Sequence, residues 1–253
     1  MVFYFTATGN CLAIARELDP EPISIPQALQ KGDLHFKDSI IGFVVPDYAA
    51  ELPKIVREFI EKGSFQADYI YMICTYGKEY SVVSEWSYAF LKEHGVDIKL
   101  VEVLKMVDNY LPSFDMEEEK AIDKQIPEQL SRIKARIANR EEGIVESSPH
   151  GREAYAIVSA RDPKYNNGSS VYVDTDCCIG CGICSLVCPR GFYQVRDGKA
   201  CRTSETCDFC LACVHHCPRR AIKLAYLDKN PKARYICPDV KLADIMKANQ
   251  RIS

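Results

Sequence analysis

The stretch that decides the fold of the second half reads Cys177-Cys178-Ile179-Gly180-Cys181-Gly182-Ile183-Cys184-Ser185-Leu186-Val187-Cys188-Pro189. Counted from Cys178 it follows C-x2-C-x2-C-x3-C-P. Cys207, Cys210, Cys213, Cys217 and Pro218 repeat that spacing once more. Three thiols at i, i+3 and i+6 do not suit zinc, which takes four ligands, usually as two separated pairs. They suit a cubane cluster, where one tight loop supplies three thiolates and the fourth comes from elsewhere. Only Cys178 of the doublet is correctly spaced from Cys181, so Cys177 is expected to pack beside the site without binding it.

Around this repeat the composition is ordinary. The chain has 253 residues, a formal charge of −3, 47% apolar and 26% charged residues. That balance excludes a disordered chain, a basic nucleic-acid binder and a polybasic membrane binder. Ten of its thirteen cysteines lie between Cys177 and Cys217, so the thiol excess is local. The opening MVFYFTATGN has no basic n-region and no long apolar h-region, which argues against a secreted disulfide scaffold. No run approaches the ~18 apolar residues that span a bilayer. The expectation is a cytoplasmic protein with reduced thiols, without membrane insertion or nucleic acid.

Upstream, short apolar runs at residues 1–5, 40–45, 69–74 and 96–104 alternate with helical spacing. Cys11, Ile14, Ala15 and Leu18 share one face, as do Leu52, Ile55, Val56, Phe59 and Ile60, with Pro53 suited to a first turn. Val82, Val83, Trp86, Ala89 and Phe90 make a third face, and residues 22–25 suggest an edge strand. This alternation predicts an α/β fold, a doubly wound parallel sheet, followed by a smaller α+β domain. Leu130, Ile133 and Ile137 mark a last helix, and residues 154–158 are apolar enough for a short strand. The expected boundaries are 1–145 for the first domain, 146–170 for a linker, 171–228 for the cysteine domain and 229–253 for a tail.

Phe5-Thr6-Ala7-Thr8-Gly9-Asn10-Cys11 follows the first strand and opens the first helix, where hydroxyls and backbone N–H groups favour a phosphate. It resembles the flavodoxin motif T-x-T-G-N-T, with Thr6, Thr8 and Asn10 as side-chain donors, and Cys11 replacing the final hydroxyl residue. The resemblance implies FMN bound by Thr6, Ala7, Thr8, Gly9, Asn10 and Cys11. In a doubly wound sheet two further loops end at the same edge: Pro46-Asp47-Tyr48-Ala49-Ala50 and Thr75-Tyr76-Gly77. Flavodoxins enclose the flavin ring with these loops, which makes Tyr48 and Tyr76 the stacking candidates.

The cysteine segment resembles dicluster bacterial ferredoxins beyond its thiols. Residues 171–174 and 221–224 look like the entry and closing strands, and 192–195 with 199–202 like a hairpin around Asp197-Gly198. In that pattern each C-P cysteine serves the other cluster. The resemblance thus implies one 4Fe–4S cluster on Cys178, Cys181, Cys184 and Cys217, and a second on Cys207, Cys210, Cys213 and Cys188. Leu211 departs from it, standing where the first repeat has Gly182. The whole chain resembles the flavodoxin–ferredoxin fusion proteins of anaerobic bacteria. FTATGN, the VPDY and TYG loops, VDNYLP at 107–112, CDFCLACVHHCPRRAI at 207–222 and the tail around Ala233-Arg234-Tyr235 carry that likeness.

The remaining residues read more plainly. Ligand counting leaves His215-His216 as a solvated or neighbouring pair, and Cys74, Cys201 and Cys237 as packed thiols. Asp115 to Lys124 reads as a solvated charge run. No second glycine-rich nucleotide fingerprint is present. The expected function is electron transfer between two clusters, FMN and redox partner proteins. The alternative is a flavin-dependent reductase of a small molecule, fed by its own clusters. A third, non-redox role keeps the clusters as staples or an oxygen sensor.

Overall fold

The computed structural model describes residues 1–160 and 168–251. The chain divides into two compact units: Met1–Thr6, Asn10–Val107 and Asp123–Arg161 in the first, and Ala7–Gly9, Asp108–Ile122 and Asp162–Ser253 in the second.

The first unit begins with β1 (Val2–Tyr4), α1 (Asn10–Leu18), β2 (Ile23–Ser24) and α2 (Ile25–Lys31). It continues through β3 (His35–Lys37), β4 (Ile40–Pro46), α3 (Lys54–Lys62), β5 (Ser64–Gln66), β6 (Tyr69–Tyr76), α4 (Val83–Glu93) and β7 (Ile98–Lys105). After α5 (Met116–Ala121), which counts with the second unit, come α6 (Ile126–Ala138), β8 (Gly143–Ile144) and α7 (Pro149–Ser159). Six strands form one parallel sheet in the order β2-β1-β4-β6-β7-β8. This is an α/β architecture compatible with a flavodoxin-like fold. The order reverses at β1, and loops leaving β1 and β4 open at that switch point, where such sheets take ligands.

Each element follows from its side chains. β6 is buried along seven of its eight residues, as a central parallel strand must be. α3 buries Ile55, Val56, Phe59 and Ile60 and exposes Lys54, Glu61 and Lys62, the 3.6-residue stripe. The short parallel pair β3–β5 has little signal in the residue pattern; it carries Phe36 and Phe65, whose rings stack at 5.6 Å beside Phe3, Phe43 and Phe59. Glu102 on β7 is fully buried and answered by Arg136 and by Arg132 at 3.5 Å.

One expectation fails here. Residues 154–158 form no strand but lie inside α7. Ser148 Oγ accepts from the Gly151 amide at 3.0 Å, and Pro149 needs no amide partner in the first turn. Arg152 pairs with Glu85, the Tyr155 hydroxyl donates to Glu51 at 2.9 Å, and Ser81 Oγ donates to the Gly151 carbonyl.

In the second unit β9 (Val171–Val173) pairs antiparallel with β12 (Ile222–Leu224), and β10 (Tyr193–Arg196) with β11 (Lys199–Arg202). The β10–β11 turn places Asp197 and Gly198 at φ +50° and +72°, the left-handed pair that a two-residue hairpin requires. α8 (Ile183–Leu186) and α9 (Ala212–His216) begin beside the third cysteine of each loop, and α10 (Leu242–Asn249) packs near α8. This small part is ferredoxin-like. The charge run at 115–124 holds a helix, α5: Asp115 caps it through the Glu117 amide and receives Asn230 Nδ2 at 2.9 Å, while Met116 is fully buried. No helix among the described residues is long and apolar enough to cross a membrane.

Candidate metal centres and the hydroxyl-rich turn

All thirteen cysteines are free thiols. The strand pairing β9–β12 sets the two ends of the cysteine segment side by side, which brings Cys217, just before β12, back to the loop after β9. Cys184 is pushed up to about 12 by burial and by the charges of Cys217, Cys178 and Cys181 beside it. Cys213 is raised well above the thiol range by burial, then by Cys188, Cys210, Cys207 and Cys184. Cys210 rises through burial and the neighbouring Cys188. Cys188, Cys207, Cys210 and Cys213 together line one cavity, along with Phe192, Tyr193 and Leu211. Thiols of the two repeats thus act on one another, Cys217 on Cys184 and Cys188 on Cys210 and Cys213.

Among the described residues, no three His, Cys, Asp or Glu side chains converge as a single ion requires. Four thiolates around one zinc would stand about 3.8 Å apart, given a Zn–S length of about 2.3 Å. A cubane spreads its four thiolates over four irons and asks for wider spacing. The donor set fits that group.

The backbone supplies polar partners to the sulfurs. Phe192 N–H donates to Cys188 Sγ at 3.3 Å and Ala221 N–H to Cys217 Sγ at 3.1 Å, both from four residues downstream. Ala200 N–H donates to Cys178 Sγ and Phe209 N–H to Cys207 Sγ, each at 3.3 Å. Such bonds stabilise negative charge on sulfur and set cluster potentials.

The two loops share a backbone but not a side-chain solution. Gly180 and Gly182 adopt φ +67° and +78°; Phe209 and Leu211 occupy the same positions at +51° and +62°. A left-handed non-glycine residue costs about 1–2 kcal/mol, and here both side chains are buried, which offsets it. The first loop is the open one, with Cys181 exposed and Ile179 60% accessible.

His215 and His216 are not solvated. Both are at most 5% accessible, because α9 turns them inward. The Tyr235 amide donates to His215 Nδ1 at 3.1 Å, so Nε2 carries the proton and donates to the Asn109 carbonyl at 2.8 Å. Burial holds His215 down to about 3. Cys177 sits beside Asp174, whose carboxyl is held at about 2 by Lys223 and the Cys177 amide. Cys74 is fully buried against Ser87.

The hydroxyl-rich turn is distributed over both units. In the first, Thr6 and Asn10 are buried, Asn10 Nδ2 donates to the Val107 carbonyl at 3.0 Å, and Cys11 Sγ lies 3.2 Å from Thr75 Oγ1. The Cys11 thiol therefore faces the end of β6. The loop after β4 makes a tight turn, with Tyr48 and Glu51 exchanging backbone hydrogen bonds and Ala49 and Ala50 at φ +59° and +68°. Asp47 Oδ1 accepts from the Ala50 amide at 2.6 Å and holds this strained geometry, which presents Tyr48 beside Phe5. Asp47 N–H bonds the Thr75 carbonyl at 2.8 Å, and Tyr76 packs edge-on to Tyr80. Pro46 and Tyr76 end their strands half-buried, and Gly77 follows.

In the second unit, Ala7 and Thr8 are buried and Asn109 Nδ2 donates to Thr8 Oγ1 at 2.9 Å. The tail lies on Gly9, where a Cβ would stand 2.8 Å from Cys237 Cβ. Cys237 N–H donates to the Thr8 carbonyl at 2.7 Å. A trans peptide sets C=O and N–H in opposite directions, so the Gly9 amide points away from the tail.

Comparisons with known proteins reach the cysteine segment. Residues 171–194 match the model of the 4Fe-4S binding domain. Over 33 residues the sequence is 58% identical to Ferredoxin-2 of Desulfomicrobium norvegicum, covering 13% of this protein and 56% of that one. It is 37% identical over 68 residues to a component of the anaerobic dimethyl sulfoxide reductase of Escherichia coli, covering 23% and 32%. It is 34% identical over 84 residues to the zinc-containing ferredoxin of Thermoplasma acidophilum, covering 23% and 59%. The matches therefore span about a third to three fifths of these relatives' lengths. No solved structure matches the protein. The second half of the sequence carries a 4Fe–4S binding segment at residues 171–194.

Proposed function

We propose that the protein is an electron carrier holding two 4Fe–4S clusters and one FMN, working with redox partner proteins in the cytoplasm. One cluster takes Cys178, Cys181, Cys184 and Cys217; the other takes Cys207, Cys210, Cys213 and Cys188. The observation that carries this is the set of thiols whose charges act on Cys184, namely Cys217 of the other repeat, Cys178 and Cys181. When bound, the clusters exchange single electrons and the flavin one or two.

The protein's own part is to bind, shield and tune. Buried thiols favour their protonated form in the metal-free state, so cluster assembly releases protons and couples to folding. Amides of Phe192, Ala221, Ala200 and Phe209 then steady the sulfur charge. The exposed loop around Cys181 gives partners the shorter approach. FMN rests on the sequence motif: its phosphate against Thr6, Ala7, Thr8, Gly9, Asn10 and Cys11, its ring against Pro46, Asp47, Tyr48, Ala49, Thr75, Tyr76 and Gly77. The Gly9 amide orientation and the strained turn under Tyr48 support it.

Flavin titration of the full-length protein, followed by fluorescence quenching, tests the FMN half. Saturable binding of one FMN per protein is expected; no binding to anaerobically prepared protein would remove it.

A further inference from the structure

Tyr193, on β10, is 1% accessible, and its hydroxyl has no hydrogen-bond partner among the described residues. Buried phenols almost always find one, since leaving a donor unsatisfied in the interior is costly. The ring is held firmly, edge-on to Phe192 at 4.9 Å, so its position is not slack. It lines the same cavity as Cys188, Cys207, Cys210 and Cys213. Of its electrostatic neighbours, Cys213, Cys207 and Cys188 belong to that group and Cys184 to the other. The charged side chains on the cavity wall, Asp208 and Arg190, are joined to each other at 2.5 Å. The remaining side-chain acceptors there are sulfurs.

We propose that the Tyr193 hydroxyl donates a hydrogen bond to a sulfur of the cluster held by Cys188, Cys207, Cys210 and Cys213, and so raises that cluster's potential above its twin's. This rests on the two-cluster reading. A donor aimed at sulfur stabilises the reduced, more negative state. The second repeat has no counterpart, because Ile222 stands where the first has Tyr193: each is the fifth residue after its C-P cysteine. The pseudo-symmetric halves would thus differ in potential through one oxygen atom.

The test is a redox titration of the full-length, cluster-loaded protein by electron paramagnetic resonance, with Tyr193→Phe and with 3,5-difluorotyrosine at position 193. The phenylalanine variant keeps the ring and removes the donor. One cluster should become harder to reduce by up to about tenfold in its reduced-to-oxidised ratio, where tenfold is about 59 mV for one electron. The fluorinated phenol is a stronger donor and should move the same cluster the other way, which decides the matter even if Tyr193→Phe loses iron. Unchanged midpoints in both variants, with iron retained, would overturn the proposal. Wild-type protein holding a single cluster would instead overturn the two-cluster reading, and the proposal with it.

Discussion

The backbone amide of Cys237 donates to the carbonyl of Thr8 at 2.7 Å, more than two hundred residues away in sequence. The tail thereby grips the carbonyl side of the turn and fixes the direction of its amides. Gly9, at φ +107°, is the residue that lets the two backbones meet. Gly9→Ala would put a methyl 2.8 Å from Cys237 Cβ and force a left-handed alanine. It should cost about 1–3 kcal/mol of stability and weaken FMN binding at least about tenfold, read by thermal melting and flavin titration. An unchanged melt would show that the tail does not brace this turn.

Glycines of the first cluster loop differ in how much they can give. A Cβ on Gly180 would overlap the Gly198 carbonyl, whereas one on Gly182 meets only Val195 Cγ2 at 3.9 Å. Gly182→Ala should therefore cost only the left-handed backbone penalty, about 1–2 kcal/mol, and retain its iron. Gly180→Ala should lose iron from one cluster. Iron assays on both variants check this, and equal behaviour would mean that the loop adapts.

The reverse trade holds at Leu211. Leu211→Gly relieves about 1–2 kcal/mol of backbone strain but empties a buried leucine site, which costs about 2–5 kcal/mol. A net destabilisation of up to about 4 kcal/mol, the difference of those two terms, is expected by denaturant unfolding of the loaded protein. A more stable variant would show that burial does not offset the strain.

Glu85 links α4 to the start of α7. Its carboxyl is held below the usual range, first by the Ser147 amide and then by Arg152. A depressed carboxylate contributes stability above its unfolded value of about 4.3, and that contribution fades as pH falls through the lower folded value. Protection against hydrogen exchange over residues 146–159 should thus fall in the wild type as pH drops below about 4.3. Glu85→Gln should show the weaker protection already at neutral pH, with little further loss in acid. Identical profiles would remove Glu85 from this role.

Much of this was legible because its determinants are local. Each C-x2-C-x2-C-x3-C-P unit is a short contiguous stretch, Asp197-Gly198 spells its own hairpin, and buried parallel strands read as apolar runs. Three features are not local in that way. α5 looks like a solvated charge run until Asn230 is seen on Asp115. α7 hides in linker-like composition, although Ser148-Pro149 is a helix-start signal. His215 reads as a surface residue because its partners, Asn109 and Tyr235, come from distant segments. The same distance conceals the brace on Thr8. Tyr193 left no trace in the pattern at all, since an unsatisfied hydroxyl is visible only once the cavity around it exists.

The crossing of ligands between repeats is the central claim, and paired cysteine substitutions address it most directly. The full-length protein, prepared anaerobically, should hold about eight irons, as two cubanes require. Cys217→Ser should lower this to about four, and adding Cys181→Ser should remove nothing more, because both serve one cluster. Combining Cys217→Ser with Cys210→Ser should leave none. If Cys217→Ser with Cys210→Ser instead keeps about four irons while Cys217→Ser with Cys181→Ser loses all, each repeat holds its own cluster and the ligands do not cross.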